Sequence, residues 1–218
     1  MKQNYDLIVF DWDGTLMDSA GLIALSIQKA AADVGLPVPD DAAARHIIGL
    51  GLSEALQALF PQADAATLAQ LVERYRVHFL GQDHMIPLFD GAAELVRTLH
   101  AKGRYLAVAT GKSRRGLDRA LEYSQLGDFF LATRCADESF SKPHPAMLLE
   151  LMDELAVDRE RTLMIGDTSH DLQMANNAGV PALAVTYGAH EHAHLCEFAP
   201  LACCHSIDEL SQWLQQNG

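Results

Sequence analysis

The sequence predicts an α/β fold, in which a Rossmann-like parallel sheet core carries helices on both faces and a small all-helical cap domain is inserted after the first strand. Short, continuous apolar runs alternate with helical patterns, which is typical of parallel strands that are buried on both faces. These runs cover residues 7–10, 105–110, 161–166 and 181–188. The domain prediction is therefore a discontinuous core, 1-16 and 88-218, and a cap, 17-87.

The helices are indicated by their hydrophobic period and by their capping residues. The pattern "GAAELVRTLHAKG" starts after Asp90 and stops at Gly103, with Leu95 and Leu99 on one face. Further core helices are predicted over 145–157, 170–179 and 206–216. Between the first two strands the chain shows helical patterns alone, at 20–35, 53–60 and 63–80. Such a stretch predicts a helical insertion into the core.

Composition narrows the class of protein. The 218 residues are 49% hydrophobic and 21% charged, as in ordinary globular proteins. The formal net charge is -13 and no block of Lys and Arg is present, so we expect no nucleic acid partner. The apolar run near the N-terminus is too short for a signal peptide or a membrane span. We expect a cytoplasmic protein without a membrane partner, either a monomer or a weak homodimer.

The stretch "DWDGT" places Asp11 and Asp13 directly after the first strand. Two carboxylates at this spacing can share a hard cation such as Mg²⁺, and one can act as a nucleophile while the other transfers a proton. A plain surface turn at Gly14 is the alternative. A calcium loop is excluded, because it needs Gly and Glu where the chain has Leu16 and Leu22.

Two further polar clusters supply groups that suit a phosphate. In "ATGKS", Thr110 ends a strand and the N–H groups of Gly111 and Lys112 follow it at a helix start. The cluster is not a Walker A loop, because Leu106 stands where that motif needs glycine. In "SKPHP", Lys142 precedes a helix and could neutralise phosphate charge. Exposed lysines at ordinary turns are the alternative interpretation of both.

The fourth cluster, "IGDTSHD", repeats the pattern of the first. Asp167 follows a strand, and Asp171 lies one helical turn further on the same face. Asp167 could also act only as a helix N-cap. In open parallel sheets, ligands bind beyond the carboxyl ends of the strands, so the four clusters should converge there. Together they predict one site for Mg²⁺ and phosphate.

In this order the four clusters resemble the motifs of the haloacid dehalogenase-like (HAD) hydrolase superfamily, namely D-x-D-G-T, a Ser or Thr after a strand, a Lys, and an acidic G-D-x-x-x-D. The resemblance covers the whole chain, and the helical insertion corresponds to the cap of that superfamily. The chain is most similar to its phosphoglycolate phosphatase-like subgroup. The resemblance implies a phosphatase rather than a dehalogenase, because dehalogenases do not keep the second acid, here Asp13.

The resemblance also implies a role for each matching residue. Asp11 would attack phosphorus and form an aspartyl phosphate, and Asp13 would act as general acid and then as general base. Thr110 and Gly111 would bind the phosphoryl oxygens, with Lys142 stabilising charge. The cofactor would be Mg²⁺, and its ligands would be Asp11, the main-chain carbonyl of Asp13, and Asp167. Asp171 would support these ligands without contacting the ion, or would bind the ion through a water molecule.

The expected substrate is a small phosphorylated metabolite similar to 2-phosphoglycolate. The stretch "ARHIIGLGLSEAL" has two glycines and could form a loop that places Arg45 or His46 near the site. A plain helix–helix turn is the alternative. Arg45 as an anchor for a substrate carboxylate is a hypothesis. Two other functions remain open: a phosphosugar mutase of the same superfamily, and a receiver-like, non-enzymatic phospho-acceptor module. The latter fits less well, because receivers are shorter and have no helical insertion.

A segment near the end of the chain is rich in histidine. "GAHEHAHLCEF" places His190, His192, His194 and Cys196 at alternating positions. On a strand, these four zinc-type ligands would lie on one face. Because ligands of tetrahedral sites usually come from separate segments, we interpret the stretch as a histidine-rich loop. The four cysteines show no C-x-x-C spacing, so neither a disulfide framework nor a zinc ribbon is predicted.

Overall fold

The computed structural model describes residues 5–217 and contains one six-stranded sheet in the order β3-β2-β1-β4-β5-β6. All five neighbouring pairs are parallel. The strands are β1 (Leu7–Phe10), β2 (Tyr105–Thr110), β3 (Ala132–Cys135), β4 (Thr162–Gly166), β5 (Ala182–Val185) and β6 (Cys203–Cys204). The α/β class with a parallel sheet is therefore confirmed.

Ten α helices accompany the sheet within the described residues. They are α1 (Ala20–Asp33), α2 (Asp41–His46), α3 (Leu52–Leu59), α4 (Ala65–Leu80), α5 (Ala92–Ala101), α6 (Arg114–Ser124), α7 (Ala146–Leu155), α8 (Ser169–Ala178), α9 (His192–Cys196) and α10 (Ile207–Asn217). None of these helices is both long and apolar enough to cross a membrane.

Both faces of the sheet are covered, as the continuous apolar strands require. Successive residues of β1 point to opposite faces, so Ile8 and Phe10 pack with α5, α6 and α10. Leu7 and Val9 pack on the other face with α7, α8 and α9. All four β1 side chains are almost completely buried, which explains why this strand shows no polar alternation.

Helices α1 to α4 follow one another without a sheet strand between them, and we refer to them as the cap. It has its own hydrophobic cluster, in which Ile27, Leu56, Leu71 and Phe79 are buried. Two isolated bridges join Met17 to Asp13 and to Leu88, where the chain enters and leaves the cap. The domain boundaries at 16/17 and 87/88 stay predictions, and residues 1–4 and 218 of the predicted core lie outside the described residues.

The sequence patterns do not predict two of the six strands. β3 is an edge strand that carries the charged Arg134, whose side chain bonds Glu150 and Glu154 of α7 at 2.7 Å each. An edge strand needs no continuous apolar run, because one side of its backbone is not covered by a neighbouring strand. β6 is only two residues long, Cys203–Cys204, and therefore shows no detectable alternation.

Two interpretations at the end of the chain were wrong in detail. The strand predicted over 181–188 ends at Val185, because the chain then turns back over the carboxyl edge of the sheet. The segment interpreted as a loop contains the short helix α9. A helical period of 3.6 regroups its alternating ligands, so that residues four apart, rather than two apart, share a face.

Candidate active site

The site lies at the carboxyl edge of the three central strands. Asp11 follows β1, Thr110 ends β2 and Asp167 follows β4, and these strands are direct neighbours in the sheet. The Asp11 N–H donates to the Ile165 carbonyl at 2.9 Å, which extends the β1–β4 pairing by one residue. All three side chains are fully buried. Strand order thus brings together residues that are far apart in the chain, as expected at this edge of a parallel sheet.

Three carboxylates form the centre of the site. Asp11, Asp167 and Asp171 are all fully buried, and each offers an oxygen within 4.8 Å of the other two. Burial raises the pKa of Asp11 to about 7 and raises that of Asp167 well above its usual value. One Asp11 oxygen, Oδ2, has no hydrogen-bond partner among the described residues. Such a set of hard oxygens with an unpaired member fits a divalent cation such as Mg²⁺.

Lys142 provides a positive charge inside this cluster. Its Nζ lies 2.6 Å from Asp11 Oδ1 and 2.6 Å from Asp171 Oδ1, and the ammonium group is buried. Burial alone would lower the lysine pKa, but the two carboxylates raise it above its ordinary value, so the side chain is charged. The alternative of an ordinary exposed lysine is thereby wrong.

Asp167 is held by donors from two loops. Thr15 Oγ1 donates to its Oδ1 at 2.8 Å, and the Ala189 N–H donates to its Oδ2 at 2.7 Å. A Cβ on Gly14 or on Gly188 would come within 2.1 or 2.2 Å of Asp167 Oδ2. Because these two residues are glycines, the backbone can approach the Asp167 carboxylate closely. A side chain at either position would overlap this carboxylate.

Asp171 is fixed by a capping box at the start of α8. Thr168 is the N-cap, and its N–H and Oγ1 contact Asp171 Oδ2 at 3.1 and 2.6 Å. The alternative that Asp167 acts as the N-cap is wrong, because the helix begins one residue later than that reading requires. One oxygen of Asp171 thus holds its own helix while the other faces Lys142.

Asp13 has a partner that the sequence interpretation missed. Ser19 Oγ donates to Asp13 Oδ1 at 2.6 Å, and Lys112 Nζ lies 2.9 Å from the same oxygen. Lys112 also lies 5.1 Å from the ring centroid of Phe79, in cap helix α4. The position of Lys112 directly after Gly111 in "ATGKS" is the sequence signal for this contact, since the turn after β2 carries its side chain as well as its N–H group to the site.

Thr110 and Gly111 lie in the turn after β2, directly beneath the cap. Thr110 Oγ1 accepts from the Lys112 N–H at 3.2 Å, which shapes the turn after β2. A Cβ on Gly111 would come within 2.4 Å of the Leu50 carbonyl oxygen and 2.7 Å of the Gly49 carbonyl oxygen. The cap backbone therefore lies directly on this turn, and the cap closes over the carboxyl edge of the sheet.

Arg45 and His46 differ in their relation to the core. The Arg45 side chain pairs with Asp41 at 2.7 Å and is about one-third exposed, so its proposed contact with substrate stays a prediction. The His46 carbonyl instead accepts from Nε2 of His170 at 2.9 Å and from Nε2 of His190 at 3.1 Å. His190 Nδ1 accepts from the Ser169 N–H, which fixes its neutral tautomer. The glycine-containing turn thus bonds to the core through its backbone.

Comparison with known proteins agrees with this geometry. A family model described as "Haloacid dehalogenase-like hydrolase" matches residues 8–185. "Probable phosphatase IndB" of Dickeya dadantii is 34% identical over 94% of this chain and 91% of its own. A phosphoglycolate phosphatase of Aliivibrio fischeri is 32% identical over 86% and 87%, and pyrophosphatase PpaX of Halalkalibacterium halodurans is 30% identical over 93% and 94%.

The fold also has solved counterparts. A crystal structure of a protein from Clostridium acetobutylicum, described as a predicted phosphatase, superposes with a TM-score of 0.86 at 26% identity, covering 98% of this chain and 99% of that one. The family model spans the motif after β1 and the acidic motif after β4, and the relatives are similar over nearly their whole length. The chain therefore belongs to the haloacid dehalogenase-like hydrolase family, as a phosphatase of the phosphoglycolate phosphatase-like subgroup.

Proposed function

We propose that the protein is a Mg²⁺-dependent phosphatase that hydrolyses a small phosphomonoester similar to 2-phosphoglycolate through an aspartyl-phosphate intermediate. The observation that carries the proposal is the placement of the buried Lys142 ammonium 2.6 Å from both Asp11 and Asp171. A carboxylate that attacks an anionic phosphate meets charge repulsion, and a buried cation beside it reduces that repulsion.

In the first step, an Asp11 oxygen attacks phosphorus and forms the P–O bond of an acyl phosphate. The bond between phosphorus and the leaving oxygen breaks, and that oxygen takes a proton from Asp13. Thr110 and the Gly111 N–H bind phosphoryl oxygens, and Lys142 stabilises the negative charge that accumulates between nucleophile and phosphate. Ser19 orients the Asp13 carboxyl group, since it bonds Oδ1 at 2.6 Å.

In the second step, Asp13 takes a proton from water, and the water oxygen attacks the phosphorus of the acyl phosphate. The bond to Asp11 breaks, inorganic phosphate leaves and the Asp11 carboxylate is regenerated. When bound, Mg²⁺ would neutralise phosphate charge. Asp11, Asp167 and the main-chain carbonyl of Asp13 would hold it, with Asp171 supporting them through Lys142 and Thr168.

The position of the cap supports a small substrate. The backbone of Gly49 and Leu50 lies so close to Gly111 that a single Cβ there would overlap it. A bulky polymer could not reach Asp11 beneath this cover without a large cap movement. The relatives are named for phosphoglycolate and for pyrophosphate, and both compounds are small anions with an exposed phosphoryl group.

Phosphate release from a substrate panel tests the proposal. The panel holds 2-phosphoglycolate, sugar phosphates, nucleoside monophosphates and pyrophosphate, each with Mg²⁺ or with EDTA. We expect Mg²⁺-dependent release by the wild type, and a loss of at least ~10³-fold in Asp11→Asn because the nucleophile is removed. Asp18→Asn is the matched control, since Asp18 is a nearby exposed carboxylate. Release by Asp11→Asn at the wild-type rate would contradict the mechanism.

The mutase and the receiver-like module predict different results. A mutase would release little phosphate and would isomerise a sugar phosphate when a sugar bisphosphate is supplied as activator. A phospho-acceptor module would become phosphorylated without turnover. The relatives described above are named as phosphatases and a pyrophosphatase, which supports hydrolysis over both alternatives.

A further inference from the structure

We propose that His192, Cys196 and Cys203 form a surface site for Zn²⁺ or a similar thiophilic cation, separate from the catalytic carboxylates. The three side chains come from helix α9 and strand β6. Each offers a ligand atom within 4.8 Å of the other two. One imidazole and two thiols form a softer donor set than the carboxylates of the catalytic site, and this set favours zinc over magnesium.

The helical period creates this group. His192 and Cys196 are four residues apart, so they share one face of α9. That face meets Cys203 in β6, the last strand of the sheet. His194, which is not one turn away from either of these α9 residues, faces His46 of the cap, and His190 in the loop before α9 lies beside it. The four alternating ligands of the sequence thus divide into two pairs, and a third ligand from another segment joins each pair.

The distance between the two sulfurs fits a shared metal ion. Cys196 Sγ and Cys203 Sγ lie 3.6 Å apart. In a tetrahedral site with Zn–S bonds of about 2.3 Å, two sulfurs lie roughly 3.8 Å apart. A disulfide would need a separation of about 2.05 Å. Both cysteines are free thiols, so their present spacing matches metal coordination better than a covalent bond.

His205 lies beside the three but outside the group whose ligand atoms all lie within 4.8 Å of one another, so it would have to move to become a fourth ligand. The ring of His205 lies edge-on to that of His192, with 5.2 Å between their centroids. Its Nδ1 lies 2.7 Å from Thr186 Oγ1, which leaves Nε2 as the nitrogen for a metal. Metal-binding histidines commonly use the other ring nitrogen in a hydrogen bond of this kind. His192, Cys196 and His205 are exposed, so a cation can enter from solvent.

The other histidine group is a weaker candidate. Both ring nitrogens of His190 already take part in hydrogen bonds, one from the Ser169 N–H and one to the His46 carbonyl. Metal binding there would break one of these bonds. At His192, by contrast, no side-chain hydrogen bond would be lost within the described residues. The site of two cysteines and one histidine therefore carries the proposal.

A bound ion would connect α9 to the edge strand β6. The segment just before α9 donates the Ala189 N–H to Asp167, so the cation would hold this segment from its far side. Its effect would be on stability rather than on chemistry, because its ligands lie outside the catalytic cluster. A ligand that binds only the folded state raises the unfolding temperature, and the increase grows with the ratio of ligand concentration to Kd.

Metal content tests the proposal directly. The reduced protein is incubated with Zn²⁺ in a large excess of Mg²⁺, passed through a desalting column and analysed for zinc. We expect one zinc per chain in the wild type, almost none in Cys196→Ser or Cys203→Ser, and a reduced amount in His192→Ala. Cys204→Ala is the matched control, because that thiol lies one residue away and packs in the core on the other face of the sheet.

Two further measurements test whether the metal binds to these sulfur atoms. Co²⁺ in place of Zn²⁺ should give thiolate charge-transfer absorption in the wild type and in Cys204→Ala, and much less in the single Cys196 and Cys203 variants. Zn²⁺ should raise the unfolding temperature of the wild type but not that of Cys196→Ser. Equal zinc retention by wild type and Cys196→Ser, or no retention by the wild type, would overturn the proposal. A Cys196–Cys203 disulfide without zinc binding would also overturn it.

Discussion

The ammonium group of Lys112 lies 2.9 Å from the carboxylate of Asp13, and both side chains are about nine-tenths buried. Lys112 comes from the turn after β2 and also contacts the ring of Phe79 in the cap. The proposed acid–base residue is therefore positioned partly by a residue that itself contacts the cap. The same side chain thus contacts both the cap and Asp13.

Replacing Lys112 should show this connection. In Lys112→Met the Asp13 carboxylate loses the ammonium group that pairs with it but keeps its hydrogen bond from Ser19. The volume of the side chain at position 112 is largely kept. We expect the free energy of unfolding to fall by about 1–3 kcal/mol, because a mostly buried charge loses its counter-ion, and we expect kcat to fall about tenfold or more. Urea unfolding and steady-state kinetics measure the two effects. Lys102→Met, at an exposed position, is the control; equal effects of both substitutions would contradict the argument.

Asp13→Asn should separate the two proposed chemical steps. With an alkyl phosphomonoester we expect kcat to fall by about 10²–10⁴-fold, the usual contribution of a general acid. An aryl phosphate with a good leaving group should still phosphorylate Asp11, and the phosphoenzyme should accumulate because water activation is slow. Rapid acid quench with labelled substrate detects it. If the rate of phosphoenzyme formation falls equally for substrates with good and poor leaving groups, Asp13 does not protonate the leaving oxygen.

The raised pKa of Asp11 predicts a pH-dependent stability in the metal-free protein. Burial raises its pKa to about 7 in the folded state, above the ordinary value of an aspartate carboxyl group. Between these values the folded state holds a proton that the unfolded state has lost, so this group lowers stability as pH rises from about 4 to about 7. In EDTA, Asp11→Asn should therefore unfold at a higher temperature than wild type at pH 7.5, with a smaller difference at pH 4.5.

Mg²⁺ should reverse that order at pH 7.5, because it stabilises the ionised carboxylates of the wild type. The variant should gain much less from Mg²⁺. Asp18→Asn serves again as the exposed control and should follow the wild type under all three conditions. A wild type that is equally stable with EDTA and with Mg²⁺ would argue against a cation among Asp11, Asp167 and Asp171.

Gly111→Ala should interfere with cap closure. The added Cβ would come within 2.4 Å of the Leu50 carbonyl oxygen, which is backbone and cannot simply rotate away. We expect a loss of about 1–3 kcal/mol in stability, as for overpacked interiors, together with weaker substrate binding. Gly81→Ala, whose added Cβ would stay 3.5 Å from its nearest neighbour, is the control. Wild-type KM and stability in Gly111→Ala would show that the cap rests further from the core in solution.

Arg45 offers a test of substrate choice. If Arg45 binds a substrate carboxylate, Arg45→Ala should raise the KM for 2-phosphoglycolate at least tenfold and leave that for an uncharged alkyl phosphate nearly unchanged. To do so Arg45 must exchange its exposed partner Asp41, an ion pair of small energy. An unchanged KM for both substrates would remove this hypothesis.

The sequence predicted the parts of the site that sit on regular elements. Asp11 and Asp167 follow fully buried strands, whose apolar runs are visible in the sequence. Lys142 could be recognised only through its family motif, because nothing local distinguishes a buried lysine from an exposed one. The Lys112–Asp13 pair depends on how the turn after β2 meets the cap, and no sequence period records such tertiary contacts.

The two missed strands and the short helix α9 have related causes. β3 and β6 lie at the sheet edges, where short and partly polar segments are tolerated, so they lacked the signal that identified the central strands. In α9 the histidines and Cys196 alternate with other residues, which resembles strand patterning. Five residues are too few to show the helical period.

The position of β1 at the middle of the sheet has a consequence for biosynthesis. Leu7 is paired with Tyr105 and with Thr162, so the first strand made has no sheet partner until much of the chain has been translated. The helices of the cap emerge in the meantime and have a hydrophobic cluster of their own to bury. Early formation of the cap would shorten the effective loop between β1 and β2 and lower the entropic cost of closing it. A cap between the first two strands can thus assist assembly on the ribosome, in addition to covering Asp11 in the finished enzyme.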